Sequence, residues 1–514
     1  MKQFFLLACL LFLSVGQAAA QDVTSAAQAL SRVRAAVGYE RLRSQENGVV
    51  AQGTARFHGM DSKFTFMFTP DGRFRSEIDG PLGRTSGFNG ATTWEVDSSG
   101  MPRTLELQDM EAEQFYAWIH SARWLAENGP FAVSLDAAKT DDKQVALKLA
   151  LKGGLLEATL FVDRATWLPK SVKRLSFGGE EVIELSDYKE VLGFRFPHRL
   201  ARSSRGVRSF FEIHSLVAVP ATAAARKPFE PVTTKPADAR WNKALPARVE
   251  VRRTESGHML VHPLVNGKDV GWFILDTGAA AMVIDPKVAD RLGMPALGET
   301  AAVGAFGMQK MRYRQGETFT LGRLTMTGTR YLEANLGFIS DSLGLPIGGI
   351  CGRDLFARAV VEIDIAAESV AIYEPASYRL EGATWRELFF SGRLPGVRAR
   401  FEGDREGLFV LDTGSYMTLS IHAPTVERFK LLAGRETSES NSAGVGGSRT
   451  SRRGKLAWFE LAGLKFDNLE VDFAGSGEGA FADNYTAGNI GVGILQAFRI
   501  IFDYPNKRIA FAKR

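Results

Sequence analysis

Two aspartates in the C-terminal half of the chain lie in nearly the same local sequence. Asp276 lies in Phe-Ile-Leu-Asp-Thr-Gly-Ala at positions 273–279, and Asp412 lies in Phe-Val-Leu-Asp-Thr-Gly-Ser at positions 409–415. The apolar residues before each aspartate predict a buried strand that ends at the carboxylate. Two carboxylates a few ångströms apart cannot both ionise easily, so they would share one proton. One could then act as a general base on water while the other protonates a carbonyl group.

The two residues after each aspartate suit a tight turn that supports the acid. Gly278 and Gly414 allow the backbone to approach the carboxylate closely. Thr277 and Thr413 carry hydroxyl groups that can fix the turn by hydrogen bonding. A single Asp-Thr-Gly is a common turn sequence and a weak indication, but two copies after the same type of apolar stretch are a strong one.

These two copies belong to a longer internal repeat. The aspartates are offset by 136 positions (412 − 276), and two later landmarks are offset by 139 (503 − 364). The matching landmarks are Phe319–Leu324 with Phe459–Leu464, Gly348–Gly352 with Ala487–Gly491, and Val360–Asp364 with Arg499–Asp503. The two offsets differ by only three residues (139 − 136), so the copies are nearly equal in length. The repeat therefore predicts two duplicated lobes, at about 249–380 and 381–514.

The elements that must position the aspartates are mainly strands. Short runs rich in Val, Ile and Phe, separated by glycine-rich turns, predict a mainly β structure in both halves. Examples are Leu260–Val265, Trp272–Leu275 and Arg499–Phe502. Short helices are predicted after each Asp-Thr-Gly, at Pro286–Leu292 and Pro424–Leu431. A proline lies near the start of each helix, where its missing N–H is not needed.

Residues 249–514 resemble the pepsin/retropepsin clan, and are more similar to bacterial single-chain proteins with two retropepsin-like halves than to the larger pepsins. The clan motif is an apolar pair followed by Asp, Thr, Gly and then Ser or Ala, and it matches at Asp276–Ala279 and Asp412–Ser415. The resemblance implies a bilobal β-barrel aspartic endopeptidase, with Asp276 and Asp412 as the catalytic pair, a peptide or protein substrate and no cofactor. The residues that would support the catalytic turns are Thr277, Gly278, Thr413 and Gly414.

A second clan motif, two apolar residues and a glycine beneath the catalytic turn, is matched unequally by the two halves. Ile350-Cys351-Gly352 matches it well, whereas Asn489-Ile490-Gly491 matches it less well. In retropepsins an arginine next to this motif pairs with an aspartate two residues after the Asp-Thr-Gly. Here the arginine is Arg353 but that position is Ala280, so Arg353 lacks its usual partner.

The clan also closes a glycine-bearing hairpin, the flap, over its substrate. Glycine-rich segments lie at the right interval in each half, and such hairpin tips suit a lid that must open. The resemblance assigns flap or substrate contacts to Gly304, Phe306, Gly307, Gly446 and Gly447. The flap tyrosine of pepsins has no evident counterpart.

The first twenty residues predict a secretory signal peptide. Lys2 precedes an apolar run from Phe4 to Val15, and small residues follow at Ala18–Ala20. The run is too short to span a bilayer, which needs about 20 residues. Cleavage would leave Cys351 as the single cysteine, without a disulfide partner and more typical of a buried apolar residue than of a nucleophile. We therefore expect an exported, periplasmic or extracellular bacterial protein.

Residues 22–216 predict a separate α+β domain, followed by a linker rich in Ala and Pro at 217–248. We expect a first helix at about Ser25–Val37, with Thr24 as a cap, and strands such as Lys63–Phe68 and Leu156–Val162 in a curved antiparallel sheet. The region resembles lipoprotein-carrier-like half-barrel domains in two sequence segments, Phe161–Pro169 and Tyr188–Pro197. The residues that could line an apolar cavity, or simply form the core, are Trp94, Trp118, Trp124 and Trp167.

The remaining patterns narrow the choice of function. The net charge of +5 comes from scattered Lys and Arg, which does not indicate nucleic-acid binding. The seven histidines, His262 and His422 among them, show no metal-ligand spacing, and no Gly-x-Ser-x-Gly, Walker or dinucleotide motif occurs. We expect a monomer. The main alternative is a non-catalytic envelope protein that binds a lipid or lipoprotein, and the N-terminal domain could equally be a propeptide, a ligand-binding module or a support.

Overall fold

The structure is a computed structural model that describes residues 23–176, 179–204, 206–219, 227–304, 307–444, 447–475 and 479–513. The predicted signal peptide lies outside the described residues. Among the helices within these ranges, none is both long and apolar enough to cross a membrane.

The N-terminal domain is built on one antiparallel sheet that is 13-stranded within the described residues. In chain order its strands are β1 (Val49–Phe57), β2 (Met60–Phe68), β3 (Phe74–Ile78), β4 (Arg84–Phe88), β5 (Thr93–Val96), β6 (Pro102–Thr104), β7 (Phe131–Leu135), β8 (Gln144–Leu151), β9 (Glu157–Asp163), β10 (Pro169–Ser176), β11 (Gly179–Val191), β12 (Phe194–Ser204) and β13 (Val207–Ala218). The spatial order runs from β6 down to β1, then from β13 down to β7. The helices are α1 (Ala26–Val37), α2 (Tyr39–Arg43) and α3 (Leu107–His120).

The core of this domain lies between one face of the sheet and helices α1 and α3. Helix α1 contributes Ala29, Val33 and Val37, and the sheet contributes residues such as Leu147 and Leu160. The domain is therefore the α+β half-barrel-like unit that the sequence predicts. Trp118, Trp124 and Trp167 pack in or against this core, whereas Trp94 is buried at the edge of the domain and donates to the carbonyl oxygen of Phe229 at 2.9 Å.

The cap of α1 differs by one residue from the prediction. Ser25, not Thr24, is the N-cap, because its hydroxyl oxygen accepts a hydrogen bond from the backbone N–H of Gln28 at 3.3 Å. The Thr24 side chain instead lies 3.1 Å from Oε1 of Gln28. The helix ends at Gly38, whose φ of 75° suits glycine at a helix C-terminus.

The first lobe contains two sheets of its own. Its strands are β14 (Ala239–Trp241), β15 (Val251–Arg253), β16 (Met259–Val261), β17 (Leu264–Val265), β18 (Lys268–Asp269), β19 (Trp272–Leu275), β20 (Met282–Ile284), β21 (Ala296–Gly304), β22 (Gly307–Gln315), β23 (Thr318–Leu321), β24 (Leu324–Thr327), β25 (Arg330–Glu333), β26 (Ile347–Cys351), β27 (Val360–Asp364) and β28 (Ser369–Tyr373). Its helices are α4 (Pro286–Arg291), α5 (Gly337–Leu343) and α6 (Arg353–Phe356). The main sheet has the order β15-β16-β19-β26-β20-β25-β22-β21.

The second lobe has one sheet of its own within the described residues. Its strands are β29 (Trp385–Glu387), β30 (Phe389–Ser391), β31 (Leu394–Phe401), β32 (Arg405–Leu411), β33 (Leu419–Ile421), β34 (Ser438–Gly444), β35 (Gly447–Leu461), β36 (Leu464–Phe473), β37 (Gly488–Ile490), β38 (Phe498–Asp503) and β39 (Arg508–Lys513). Its helices are α7 (Ala423–Phe429) and α8 (Val492–Leu495). Helices α4 and α7 confirm the two helices predicted after the Asp-Thr-Gly motifs.

A shared sheet joins the lobes at their base. Its order is β28-β27-β38-β39-β29, so strands of the first lobe pair directly with strands of the second. One continuous cluster of buried apolar residues runs through both lobes. Since apolar burial is the main favourable term in folding, this cluster stabilises the lobes as one unit. The bilobal, mainly β architecture predicted from the repeat is confirmed.

The described part of the predicted linker is packed against both neighbours. Phe229 is buried and its ring lies under the guanidinium of Arg73 in the N-terminal domain. Farther along, β14 adds to the edge of the first lobe by pairing with β24. Asp238 forms an ion pair with Arg358 at 2.6 Å. The segment therefore connects the two domains through specific contacts.

Candidate active site

Asp276 and Asp412 both stand at the ends of central strands. Strand β19 ends at Leu275 and pairs in parallel with β26, and β32 ends at Leu411 and pairs in parallel with β37. The backbone N–H of Asp276 donates to the carbonyl oxygen of Cys351 at 3.0 Å, and that of Asp412 donates to the carbonyl oxygen of Ile490 at 2.9 Å. Each aspartate is therefore held by a buried strand pair, as the preceding apolar residues predict.

Thr277 and Thr413 lock the two turns together. Each backbone N–H donates to the hydroxyl oxygen of the other threonine at 3.0 Å. The hydroxyl of Thr277 donates to the carbonyl oxygen of Leu411 at 2.7 Å, and that of Thr413 donates to Leu275 at 2.8 Å. Both threonines are buried, so breaking any of these bonds would leave a buried polar group unpaired. The reciprocal bonds set the relative position of the lobes at the aspartates.

Gly278 and Gly414 bring each turn against the carboxylate of the other lobe. The N–H of Gly278 donates to Oδ1 of Asp276 at 2.7 Å, and the N–H of Gly414 donates to Oδ1 of Asp412 at 2.9 Å. A Cβ atom added at Gly278 would lie 2.5 Å from Cγ of Asp412, and one added at Gly414 would lie 2.3 Å from Cγ of Asp276. Since real Cβ atoms never approach so closely, the two turns require glycine.

The electrostatics of the pair favour one shared proton. Burial raises the pKa of Asp276 well above its usual value, and the neighbouring charge of Asp412 raises it further. Burial also raises the pKa of Asp412, but hydrogen bonds to its carboxylate oppose this effect. Both carboxyl pKa values are therefore raised by burial, and the hydrogen bonds to Asp412 favour its ionised form.

Asn489 is the residue that makes the two aspartates unequal. Its side-chain amide donates to Oδ2 of Asp412 at 2.8 Å, which favours the ionised carboxylate. The corresponding residue in the first lobe is Ile350, which offers no hydrogen bond to Asp276. The weaker motif match at Asn489 was the sequence signal for this role, because a polar residue replaces an apolar one beneath an Asp-Thr-Gly turn.

His258 is a second neighbour of Asp412 that the sequence analysis missed. Its Nε2 lies 3.0 Å from the carbonyl oxygen of Gly414, so Nε2 carries a proton. Its Nδ1 lies 2.7 Å from the hydroxyl of Ser256. Burial lowers the pKa of His258, while the nearby charge of Asp412 opposes that shift. No sequence pattern marks His258, because it reaches the second lobe from a turn of the first.

The two histidines named in the sequence analysis, His262 and His422, have neighbours typical of structural residues. His262 stacks on Trp272 and contacts Glu250 and Asp269. His422 is buried and its Nδ1 lies 3.1 Å from the carbonyl oxygen of Thr486. Within the described ranges, no group of three or more His, Cys, Asp or Glu side chains is placed to hold a metal ion.

Cys351 confirms the prediction of a buried apolar role. It is fully buried, and this burial raises the pKa of its thiol well above the usual value. A thiol held in its neutral form in an apolar cluster is a poor nucleophile.

The predicted flaps are β-hairpins in both lobes. Strands β21 and β22 pair up to Gly304 opposite Gly307, and β34 and β35 pair up to Gly444 opposite Gly447. Phe306 and Gly446 lie outside the described residues, so their predicted contacts stay predictions. Gly304, Gly307 and Gly447 lie at the described ends of these hairpins, and their contacts with substrate also stay predictions.

Arg353 has a partner that the sequence did not reveal. Its guanidinium forms an ion pair with Asp97 of the N-terminal domain, with Nη1 and Oδ2 2.8 Å apart. Ala280, the position where the resemblance places the partner, is exposed. The expectation that Arg353 lacks a partner therefore holds only within its own lobe.

The comparisons with known proteins fall on the same regions. The family model described as "Aspartyl protease" matches residues 261–355 and again residues 397–492. No curated protein sequence matched the chain. Three solved structures are similar over parts of it: an aspartic proteinase from Irpex lacteus (15% identity, 52% of this chain and 96% of that chain, TM-score 0.34), the LolA superfamily protein NE2245 from Nitrosomonas europaea (15%, 37% and 96%, 0.27) and a DUF1329 family protein from Desulfovibrio piger (12%, 39% and 96%, 0.28).

Two consecutive matches to one family coincide with the two lobes and with the two Asp-Thr-Gly turns. In the structure, these two matched segments are joined by the reciprocal threonine hydrogen bonds, and their carboxylates face each other. Each lobe of the C-terminal part of this chain is therefore similar to the aspartyl protease family, and the two similar segments follow one another in one chain.

Proposed function

We propose that the protein is an aspartic endopeptidase that hydrolyses peptide bonds with a water molecule activated by Asp276 and Asp412. The observation that carries the proposal is the pair of facing Asp-Thr-Gly turns with raised carboxyl pKa values. A pair that shares one proton supplies a base and an acid at the same place. Because both aspartates come from one chain, a monomer suffices.

The asymmetry at Asn489 assigns the roles. Asp412, ionised through the Asn489 amide, takes a proton from water, whose oxygen attacks the peptide carbonyl carbon. Asp276 gives its proton to the carbonyl oxygen, so a neutral tetrahedral diol forms. Asp412 then protonates the amide nitrogen as the C–N bond breaks, and Asp276 takes back a proton from one hydroxyl. The pair returns to its starting protonation state, and no covalent intermediate forms.

The hairpins β21–β22 and β34–β35 are the candidate substrate covers. Both end in glycine pairs, which suits tips that must move as substrate enters. In this proposal Gly304, Gly307 and Gly447 contact the peptide backbone together with the tip residues. The apolar run and small residues at positions 4–20 support export of the enzyme before it acts.

The test is hydrolysis of a mixed peptide library by the mature protein from about pH 3 to pH 8. Asp276→Asn and Asp412→Asn keep the size of each side chain but remove its acid–base chemistry. Asp404→Asn is the matched control, because Asp404 is an exposed aspartate of the second lobe. Cleavage that is lost in both site variants and kept in the control supports the proposal.

The alternative is a binding protein that keeps the scaffold without catalysis. It predicts no cleavage by the folded wild-type protein at any pH, and unchanged binding of a lipid or lipoprotein in both aspartate variants. Tyr116, Arg174 and Arg202 surround the buried Glu181 within the N-terminal domain, which shows that polar as well as apolar groups fill its interior. The hydrolysis experiment separates the two functions directly.

A further inference from the structure

Arg353 lies directly beneath the turn that carries Asp276. Its backbone N–H donates to the carbonyl oxygen of Ala279 at 2.9 Å. The preceding residue, Gly352, is packed so tightly there that an added Cβ would lie 2.7 Å from the same oxygen. Any displacement of Arg353 is therefore transmitted to the backbone three residues after Asp276.

The side chain of Arg353 is a buried cation, with 8% of its surface exposed. A buried charge is costly unless it is paired and hydrogen-bonded. The first lobe offers little negative charge to pair with this cation, because position 280 is alanine. The nearby carboxylate of Asp354 is already engaged, since it accepts from the backbone N–H of Met282 and lies near Arg358. The pairing charge comes instead from Asp97, whose side chain is 2% exposed.

Asp97 is preorganised for this contact by its own turn between β5 and β6. Its Oδ1 accepts hydrogen bonds from the N–H of Ser99 at 2.9 Å and from the Ser99 hydroxyl at 2.6 Å. Its Oδ2 accepts from Nη1 of Arg353 at 2.8 Å, and Nη1 of Arg393 lies 3.8 Å from the same oxygen. Burial alone would raise the pKa of Asp97, but the charges of Arg353 and Arg393 lower it, so the carboxylate stays ionised.

The same turn is held by further arginines of the C-terminal region. Nη2 of Arg358 donates to the carbonyl oxygen of Ser99 at 3.0 Å, and Nη1 of Arg330 donates to the carbonyl oxygen of Ser98. Arg393 pairs with the buried Glu95 at 2.8 Å. These contacts dock the turn rigidly, so Asp97 behaves as a fixed part of the first lobe.

A second contact reaches the flap of the first lobe. The backbone N–H of Glu299, in β21, donates to the carbonyl oxygen of His58 at 2.7 Å. An added Cβ at Gly298 would lie 2.0 Å from that oxygen, so the two backbones touch. The N-terminal domain therefore contacts both the base of a flap strand and the support of the catalytic turn.

We propose that Asp97 is a positioning residue of the active site: the N-terminal domain supplies the carboxylate that the first lobe lacks, and is a permanent part of the working enzyme. Only the predicted change in kcat rests on the proposed protease function. A propeptide released on activation would expose Arg353 as an unpaired cation beside the catalytic turn. In the proposed arrangement, removal of the Asp97 charge loosens that turn and misplaces Asp276.

The experiment uses the full mature chain with Asp97→Asn, which removes the charge and keeps a side chain able to bond Ser99. The rescue variant is Asp97→Asn with Ala280→Asp, which returns a carboxylate from within the first lobe. Ala280 is exposed and borders an open cleft that Asp97 and Ser98 also line, so a longer side chain has room. The control is Glu106→Gln, because Glu106 joins the N-terminal domain to Phe390 and Lys507 of the second lobe instead.

The readouts are kcat and KM for peptide hydrolysis and amide hydrogen exchange at residues 276–282. Misplacing a catalytic group costs about 10- to 100-fold in rate, so Asp97→Asn lowers kcat by that factor and changes KM much less. Exchange at residues 276–282 becomes faster. The rescue variant returns both readouts most of the way to wild type, and Glu106→Gln leaves both near wild type.

Wild-type kcat and wild-type exchange in Asp97→Asn would overturn the proposal. Equal losses in Asp97→Asn and Glu106→Gln without rescue would overturn it too, since they would indicate general loosening of the interface. If Asp97→Asn does not fold, recovery of folding and exchange protection by Ala280→Asp supports the proposal, and no recovery overturns it. If the wild-type protein does not hydrolyse peptides, the protease function fails, and exchange at residues 276–282 still decides whether Asp97 positions the turn.

Discussion

The two lobes are alike at the Asp-Thr-Gly turns and unlike immediately beneath them. Both lobes carry the same Asp-Thr-Gly, the same strand pairing and the same carbonyl contact, because Arg353 and Val492 each donate a backbone N–H at 2.9 Å to the residue three positions after the aspartate. Their side chains differ completely. Arg353 is a buried cation paired with another domain, whereas Val492 is a buried apolar residue.

A second difference lies one layer under the carboxylates. Asn489 donates to Asp412, while Ile350 at the corresponding position leaves Asp276 without that bond. The duplicated scaffold is kept where both halves must act together, as in the reciprocal Thr277 and Thr413 bonds. It has diverged where the proposed reaction would need one acid and one base. The comparison therefore predicts symmetric effects at the turns and opposite effects beneath them.

The largest expected effect is the loss of hydrolysis in Asp276→Asn and Asp412→Asn. Each variant removes one partner of a pair that acts as a unit, so kcat/KM falls by about 10⁴-fold or more in either case. Initial rates on a cleaved peptide measure the loss, with Asp404→Asn as the control. Substantial activity in either variant would show that the two turns do not share the chemistry.

Alanine at either turn glycine gives the next largest effect. A new Cβ at Gly278 or Gly414 would lie within about 2.5 Å of the opposing carboxylate carbon, so the turns must separate. We expect each variant to lose about 1–3 kcal/mol of unfolding free energy, together with most of its activity. Denaturant unfolding measures the first quantity. Gly475→Ala is the control, because a Cβ added at Gly475 meets no atom within 4 Å. Gly434→Ala is less suitable, because the φ of Gly434 is 69° and an alanine there would be strained.

Asn489→Ile copies the first-lobe residue into the second lobe. Without the amide donor, the pKa of Asp412 rises, so the base is ionised only at higher pH. The acid limb of the pH–rate profile therefore moves to higher pH, and kcat near the acid limb falls about 10-fold. The profile of kcat between pH 3 and 8 tests this. An unshifted acid limb would contradict the assignment of Asp412 as the base.

Ile350→Asn is the reciprocal change and has the smallest expected effect. A new amide donor beneath Asp276 lowers the raised pKa of that residue, so its proton is lost at lower pH. The basic limb of the profile then moves to lower pH, while the acid limb stays in place. Opposite limbs moving in the two variants would confirm that the lobes have distinct roles. The same limb moving in both would show that the pair is functionally symmetric.

Much of this site was predictable from the chain because its determinants are local. A strand followed by Asp-Thr-Gly is encoded in seven consecutive residues, and its repetition 136 positions later predicts a facing pair. Helix α4 begins at Pro286 and helix α7 has Pro424 as its second residue, and the sequence shows both prolines directly. Short-range patterns of this kind report backbone propensity and burial, which depend on near neighbours.

The pairings across the molecule were decided by tertiary structure alone. Asp97 meets Arg353 across 256 positions, and His258 meets Gly414 across 156, without any pattern that links the partners. Arg353 even appeared unpaired in sequence, because its expected partner position is Ala280. A buried charge selects its partner by proximity after the domains pack, and the sequence determines that proximity only through the whole fold.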